Sequence, residues 1–268
     1  MTVIDAVLLS IVEGITEFLP VSSTGHLVLT SHLLGLPQTD FLKSFEVIIQ
    51  LGAILAIVVL FFNKFFNLKS GIGINKKVWI NVLSAFIPTA IIGFALYGVI
   101  KNVLIGNELI TVSALFIGGI LLIILEKLHK KKYTKTESHA KSIEQLSVKQ
   151  SIGIGLAQSI SIIPGVSRSA ASILGGMFLG ASRQTAVEFS FLLAIPTMMA
   201  ATGLDLLETN FSFSSNEWLL LFVGFLGSFV VALIVVKWFV KYVQTNTFIP
   251  FGIYRIIASL LYWFIIMN

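Results

Sequence analysis

The chain has no cysteine. That excludes a disulfide framework and any thiolate metal site. It is also poor in charge: Asp, Glu, Lys and Arg make up 12% of its 268 residues, against ~25% in an ordinary soluble domain. With so little charge and several apolar runs beyond ~18 residues, it reads as a polytopic membrane protein. The N-terminus lacks a basic region and carries Asp5, Glu13 and Glu17, so no secretory signal peptide is expected. Polar stretches are scarce as well, and residues 126–149 are the long one. A net charge of +5 would suggest nucleic acid in a soluble protein. Here the lysines gather in loops, the pattern that orients membrane proteins, and no nucleic-acid partner is expected.

Against that background six runs read as full spans: residues 45–62, 78–100, 109–125, 186–207, 218–236 and 249–266. Two other regions hold helical pieces too short to cross. Residues 3–19 form a helix that Pro20 stops, and Ser22, Ser23 and Thr24 are good caps for a second helix over 25–36. Residues 148–163 repeat the pattern, with Pro164 at the break and a short helix to about 180. Each is a helix–break–helix pair that enters and leaves on one side, tolerated in lipid only where it is buried or lines a wet cavity. The Lys64, Lys69, Lys76 and Lys77 loop, the lysines of 127–149, and Lys237 and Lys241 all fall inside in one topology, with Lys101 and both termini outside.

At an offset of 144, Pro20 matches Pro164, Ser23 matches Ser167 and Phe45 matches Phe189. Each half carries three spans, an odd number, so the second half is inverted. The expected fold is an all-α polytopic membrane protein of six transmembrane helices plus two re-entrant helix pairs, an inverted-topology repeat. Residues 1–126 form the first repeat, 127–147 a basic cytoplasmic loop and 148–268 the second repeat, within one integral membrane domain. Such layouts place binding sites where broken helices meet.

The breaks hold the polar groups. Residues 13–26 read EGITEFLPVSSTGH and supply Glu13, Glu17, Ser22, Ser23, Thr24 and His26. Glu13 and Glu17 are four apart, on one helix face, and paired carboxylates inside an apolar helix point to function. They suit a hard cation, Mg²⁺ or Ca²⁺, or the work of a base. Ser23 could attack with a base beside it, and His26 could be its acid/base partner near neutral pH. Direct attack by water or by His26 stays open. The second break supplies Ser167, Arg168 and Ser169. Arg168 matches a phosphate's forked geometry, and helix N-termini favour anions. Glu46 and Gln50, near the start of the first span, either line the site or face the interface. Blander readings stand beside these. Serines after a proline usually just cap a helix, a lone histidine is usually structural, and Glu188, Asp205 and Arg255 could each satisfy a neighbouring helix. Together the groups describe a phosphate-ester or pyrophosphate site. The rival class is a transporter or flippase for a lipid phosphate or small anion, which inverted repeats with broken helices also fit.

EGITEFLPVSSTGH, PGVSRSAAS and the QLGAILA run of residues 50–56 resemble the signatures of the bacterial undecaprenyl-pyrophosphate phosphatases, also called bacitracin-resistance proteins. The resemblance spans the whole chain. It departs slightly in the second motif, with Ala170 where the family commonly has Gly and Ser172 where Thr is common. It implies a hydrolase that converts undecaprenyl pyrophosphate to undecaprenyl phosphate and phosphate, recycling the lipid carrier of cell-wall synthesis. It also implies bacitracin resistance, a divalent cation, and a multi-pass place in the bacterial plasma membrane with the site facing outward. The family's motif residues fall here on Glu13, Glu17, Ser23, Thr24, His26, Ser167 and Arg168. Expected partners are the prenyl pyrophosphate lipid and membrane lipids, and a homodimer is compatible with this picture.

Overall fold

The structure, a computed structural model, describes residues 1–65, 75–99, 104, 107–133, 140–208 and 213–267. The first half holds α1 (Val3–Thr16), α2 (Ser23–Leu33), α3 (Asp40–Phe65), α4 (Lys76–Ala95), the single turn α5 (Tyr97–Val99) and α6 (Glu108–Tyr133). The second half holds α7 (Val148–Gln158), α8 (Arg168–Phe178), α9 (Arg183–Glu208), α10 (Ser215–Thr245) and α11 (Ile249–Met267). No named strand occurs among the described residues. Five helices, α3, α4, α6, α9 and α10, are long and apolar enough to cross a membrane. The sixth expected span, α11, is apolar but shorter. Its 19 residues rise about 28 Å, at the short end of what spans a bilayer. Pro88 and Pro196 lie inside α4 and α9, which continue through them.

The short helices arise as their sequences dictate. Thr2 and Asp5 cap α1 reciprocally, and Ser147 and Gln150 do the same for α7, satisfying donors that a helix start leaves free. Pro20 has no N–H to continue α1. Each chain then turns through a serine in an unusual conformation, Ser22 at φ 72° and Ser167 at φ 78°. Such backbone costs about 1–3 kcal/mol per residue and persists only where the surroundings enforce it. α2 and α8 start directly afterwards, and each runs 11 residues.

That start corrects the expected register. Ser22, not Ser23, is the counterpart of Ser167, so Ser23 stands opposite Arg168. The N-caps Thr2 and Ser147 are also 145 apart, so the offset is 145 throughout and Gly165, not Pro164, stands opposite Pro20. The φ of Gly165 is +92°, and a Cβ there would overlap the Thr111 carbonyl, so a glycine is required on both counts. α2 also begins at Ser23 rather than Gly25, because the strained Ser22 already ends the break.

The helices pack by exchange between halves. α1 lies on α10 as α7 lies on α4, α3 meets α9, and α6 runs against α11. Within each half the short helices pack on one another, α1 with α2 and α7 with α8. Phe18, at the first break, is fully buried and meets Phe191 edge-on at 5.5 Å, while Phe61 meets the same ring at 5.8 Å. The break thus rests on an aromatic core made by α3 and α9.

The basic stretch differs from expectation. α6 continues to Tyr133, because lysine is a good helix former and nothing before that point stops the helix. Glu126, on α6, is buried and pairs with Arg183 of α9. Further on, residues 143–146 dock on α4, where Asn81 Nδ2 donates to the carbonyls of Ile143 (3.0 Å) and Leu146 (3.1 Å). Lys64 pairs with Glu188 at 3.1 Å. Lys69, Lys101 and Lys135 lie outside the described residues.

Candidate active site

The two breaks touch. Ser169 Oγ donates to the Leu19 carbonyl at 2.7 Å, and Arg168 Nη2 donates to Glu17 Oε1 at 3.0 Å. Between them lies a cavity of about 150 Å³. From the first break Glu17, Ser22, Ser23 and Thr24 line it; from the second, Ser161, Pro164, Gly165, Ser167 and Arg168 do. Gln50 of α3 and Met198 of α9 complete the wall. The volume takes a small polar head group with its waters.

Glu17 is the hub. One carboxylate oxygen accepts from Arg168, and the other accepts from Ser23 Oγ at 2.5 Å. Glu17 and Arg168 keep only 6% and 12% side-chain exposure, so the ion pair is largely shielded from water. Removing one partner of such a pair costs about 3–5 kcal/mol, because the other charge is left behind. Arg168 is held elsewhere too. Nη1 donates to the Ser190 carbonyl at 3.1 Å, and its guanidinium lies 5.6 Å from the centre of the Phe18 ring.

α2 and α8 both begin at the cavity. The first N–H groups of a helix have no partner within it, and its N-terminus carries partial positive charge. Ser167 Oγ accepts from Ala170 N at 3.2 Å, but Ser22 makes no such cap. The α2 start is therefore the emptier of the two. An anion in the cavity would meet two helix N-termini and one guanidinium.

Four expected residues stand elsewhere. Ser169, expected at the pyrophosphate, is fully buried and does not line the cavity; its hydroxyl donates to the Leu19 carbonyl instead. Glu13 is fully buried below Glu17, does not line the cavity, and both its carboxylate oxygens lack a hydrogen-bond partner. Glu46, expected as a lining residue beside Gln50, is half-buried and does not line the cavity. The two are four positions apart on α3, and only Gln50 lines the cavity. His26 turns away from Ser23: Nδ1 faces the Ser22 carbonyl at 2.8 Å and Nε2 faces Tyr254 Oη at 2.6 Å, with the rings stacked at 5.5 Å. A nitrogen facing a carbonyl must carry the proton, so the neutral ring is protonated on Nδ1 and accepts from the tyrosine. Of the groups expected as a base for Ser23, it is the Glu17 carboxylate and not the His26 ring that reaches its hydroxyl.

No group of three His, Asp or Glu side chains converges among the described residues. The donor set offered to a cation is Glu13, whose buried oxygens have no partner, and Glu17 one turn above. Two carboxylates one turn apart are oxygen donors of the kind a hard cation takes, and not a cage of protein ligands.

Residues 6–261 match the family model described as bacitracin resistance protein BacA. The chain belongs to the BacA family. The undecaprenyl-diphosphatase of Aquifex aeolicus is 50% identical over 262 residues, covering 98% of each chain. That of a Sulfurihydrogenibium species is 48% identical over 98% of this chain and 99% of its own, and that of Wolinella succinogenes is 46% identical over 98% of both. With its apolar spans, this BacA-family chain is a multi-pass membrane protein. Tyr254 and Arg255 of α11 were not singled out with the break residues. The signal available was a Tyr-Arg pair inside an apolar run, but nothing in the sequence names its partners.

Proposed function

We propose that this chain hydrolyses undecaprenyl pyrophosphate to undecaprenyl phosphate and inorganic phosphate where its two breaks meet. The observation that carries the reading is Glu17 bonded at once to Arg168 and Ser23, on a cavity flanked by two helix N-termini. Near-full-length similarity to three undecaprenyl-diphosphatases supports the substrate. The activity recycles the lipid carrier of cell-wall synthesis and, by removing the pyrophosphate form that bacitracin sequesters, confers resistance.

Arg168 and the N-termini of α2 and α8 bind the pyrophosphate, with Ser167, Ser22 and Thr24 offering hydroxyls to its oxygens. Ser169 holds the second break against the first. Ser23 attacks the terminal phosphorus as its proton passes to Glu17. The bond from that phosphorus to the bridging oxygen breaks, and undecaprenyl phosphate leaves with the electron pair and takes up the proton from Glu17. Water then gives a proton to Glu17 as it attacks the phosphoserine; the bond from phosphorus to Ser23 Oγ breaks, phosphate leaves, and Glu17 returns the proton to Ser23 Oγ. Positioning and charge do most of the work in such transfers. Glu13 and Glu17 would hold a divalent cation, Mg²⁺ or Ca²⁺, which when bound supplies further positive charge against the phosphates. His26, fixed by Tyr254, holds the Ser22 carbonyl and with it the start of α2. The prenyl tail stays among lipids in the bacterial plasma membrane, and the lysine asymmetry supports an outward-facing site.

The test is phosphate release from undecaprenyl pyrophosphate by protein purified in detergent, without any gradient. Release that stops with a chelator and returns with Mg²⁺ or Ca²⁺ is expected. Replacing Ser23 by Ala should lower turnover at least about 100-fold. Near-normal release by the Ser23→Ala variant would remove the serine nucleophile in favour of water.

A further inference from the structure

Arg255 lies in the middle of α11, is fully buried, and does not border the cavity. Its guanidinium donates five hydrogen bonds, all to main-chain carbonyls. Nε reaches Leu115 (3.2 Å) and Nη2 reaches Ala114 (3.3 Å), both on α6. Nη1 reaches Pro20 of the first break (3.3 Å) and Val166 of the second (2.9 Å), and Nη2 also reaches Gly165 (2.8 Å). No carboxylate is among its partners. A buried cation is ordinarily paired with an anion, whereas this one is compensated by main-chain carbonyls of the two breaks and of α6.

The sequence makes room for it. A Cβ on Gly118 of α6 would overlap Arg255 Nη2 and lie 2.8 Å from Cζ. Gly118 is thus the opening through which the guanidinium reaches the breaks. The bonded carbonyls stand next to the working parts: Pro20 is two residues before Ser22, and Val166 immediately precedes Ser167. A small shift of either carbonyl moves the start of α2 or α8, and with it Ser23 or Arg168.

We propose that Arg255 is the positioning residue that sets one break against the other, and so fixes the Arg168–Glu17–Ser23 arrangement. The inference rests on the phosphatase reading above. What it adds is that a residue outside the cavity governs turnover through geometry, not through its charge. The fork of an arginine can hold carbonyls on three segments at once. A lysine keeps the charge but offers three donors from a single atom.

Two variants separate geometry from charge. Arg255→Lys keeps the cation and loses the fork; Gly118→Ala keeps the arginine and displaces it. Both are assayed for phosphate release from undecaprenyl pyrophosphate, with kcat expressed per folded molecule from size-exclusion and thermal-melt profiles. The expected result is a fall in kcat of about 100-fold in each, as for a misplacement near 1 Å. KM should stay within about threefold, because the phosphate ligands remain. Full kcat per folded molecule in either variant overturns the proposal. A loss that only tracks unfolding in both overturns it too, since Arg255 would then belong to the scaffold alone. Wild type in the same assay tests the underlying reading separately: an inactive wild type counts against the phosphatase itself.

Discussion

Ser22 and Ser167 turn their chains with nearly the same φ, 72° and 78°, and each opens a helix of 11 residues. Around these matched turns the side chains diverge. Where the first break has Ser23 the second has Arg168. Where the first has Glu13, buried without a partner, the second has Gln158, also fully buried but donating to Thr89 Oγ1 (3.3 Å) and Thr197 Oγ1 (3.1 Å). Ser167 caps its helix and Ser22 does not. Each break leaves two buried polar atoms without a partner, Gln158 Oε1 and Arg168 Nε at the second and both oxygens of Glu13 at the first, but the second contributes a cation and the first contributes carboxylates. Two similar turns can therefore carry an undivided site, because they need only agree in where they turn.

The largest expected effect comes from cutting the bond that joins the breaks. Arg168→Ala should lower phosphate release by about 10³-fold or more, since it removes the guanidinium and strands Glu17. Arg168→Lys should recover only part of this, because the fork is lost. Normal turnover in purified, folded Arg168→Ala would separate the two breaks functionally and end the single-site view.

A reciprocal pair tests the contrast between Glu13 and Gln158. Glu13→Gln should leave stability unchanged or raise it by about 1 kcal/mol, since it neutralises a buried acid without a partner, while activity and its metal dependence fall. Gln158→Glu should do the reverse: a loss of about 3 kcal/mol in stability, seen as a lower melting temperature, with kcat per folded molecule retained. If both substitutions act only on stability, the breaks do not differ in the way their partners suggest.

The smallest effects separate the serines. Ser167→Ala removes a cap as well as a hydroxyl on the cavity, and should cost about 1 kcal/mol of stability beside a rise in KM of a few-fold. Ser22→Ala removes no cap and should show the rise in KM alone, read from initial rates over a range of substrate.

Much of this was legible in the chain because lipid leaves polar residues few excuses. Glu17, Ser23, Thr24, Ser167 and Arg168 all line the cavity, and each stood out as an expensive group near a proline in an apolar sequence. The meeting of the breaks followed from the expected repeat, although its register was one residue off because the two prolines, which look like counterparts, stand one position apart in the matched turns. What could not be read were partners far apart in sequence. His26 looked like a neighbour of Ser23, but its ring is claimed by Tyr254, 228 positions away. Glu46 and Gln50 shared a helix face, but only Gln50 lines the cavity. Arg255 was visible as a buried cation, but its role depended on carbonyls, which every residue possesses and no motif can mark.

The small cavity carries one more consequence. A chamber of about 150 Å³ takes the head of a lipid and leaves the tail in the bilayer. The concentration the enzyme responds to is then two-dimensional, the mole fraction of substrate among other lipids. Diluting the substrate with inert lipid or detergent at constant bulk concentration should slow turnover, and prenyl length should matter chiefly through how firmly the tail partitions. Catalysis of this kind is metered by the membrane's composition, so that any change in how much carrier lipid a cell holds is read directly as rate.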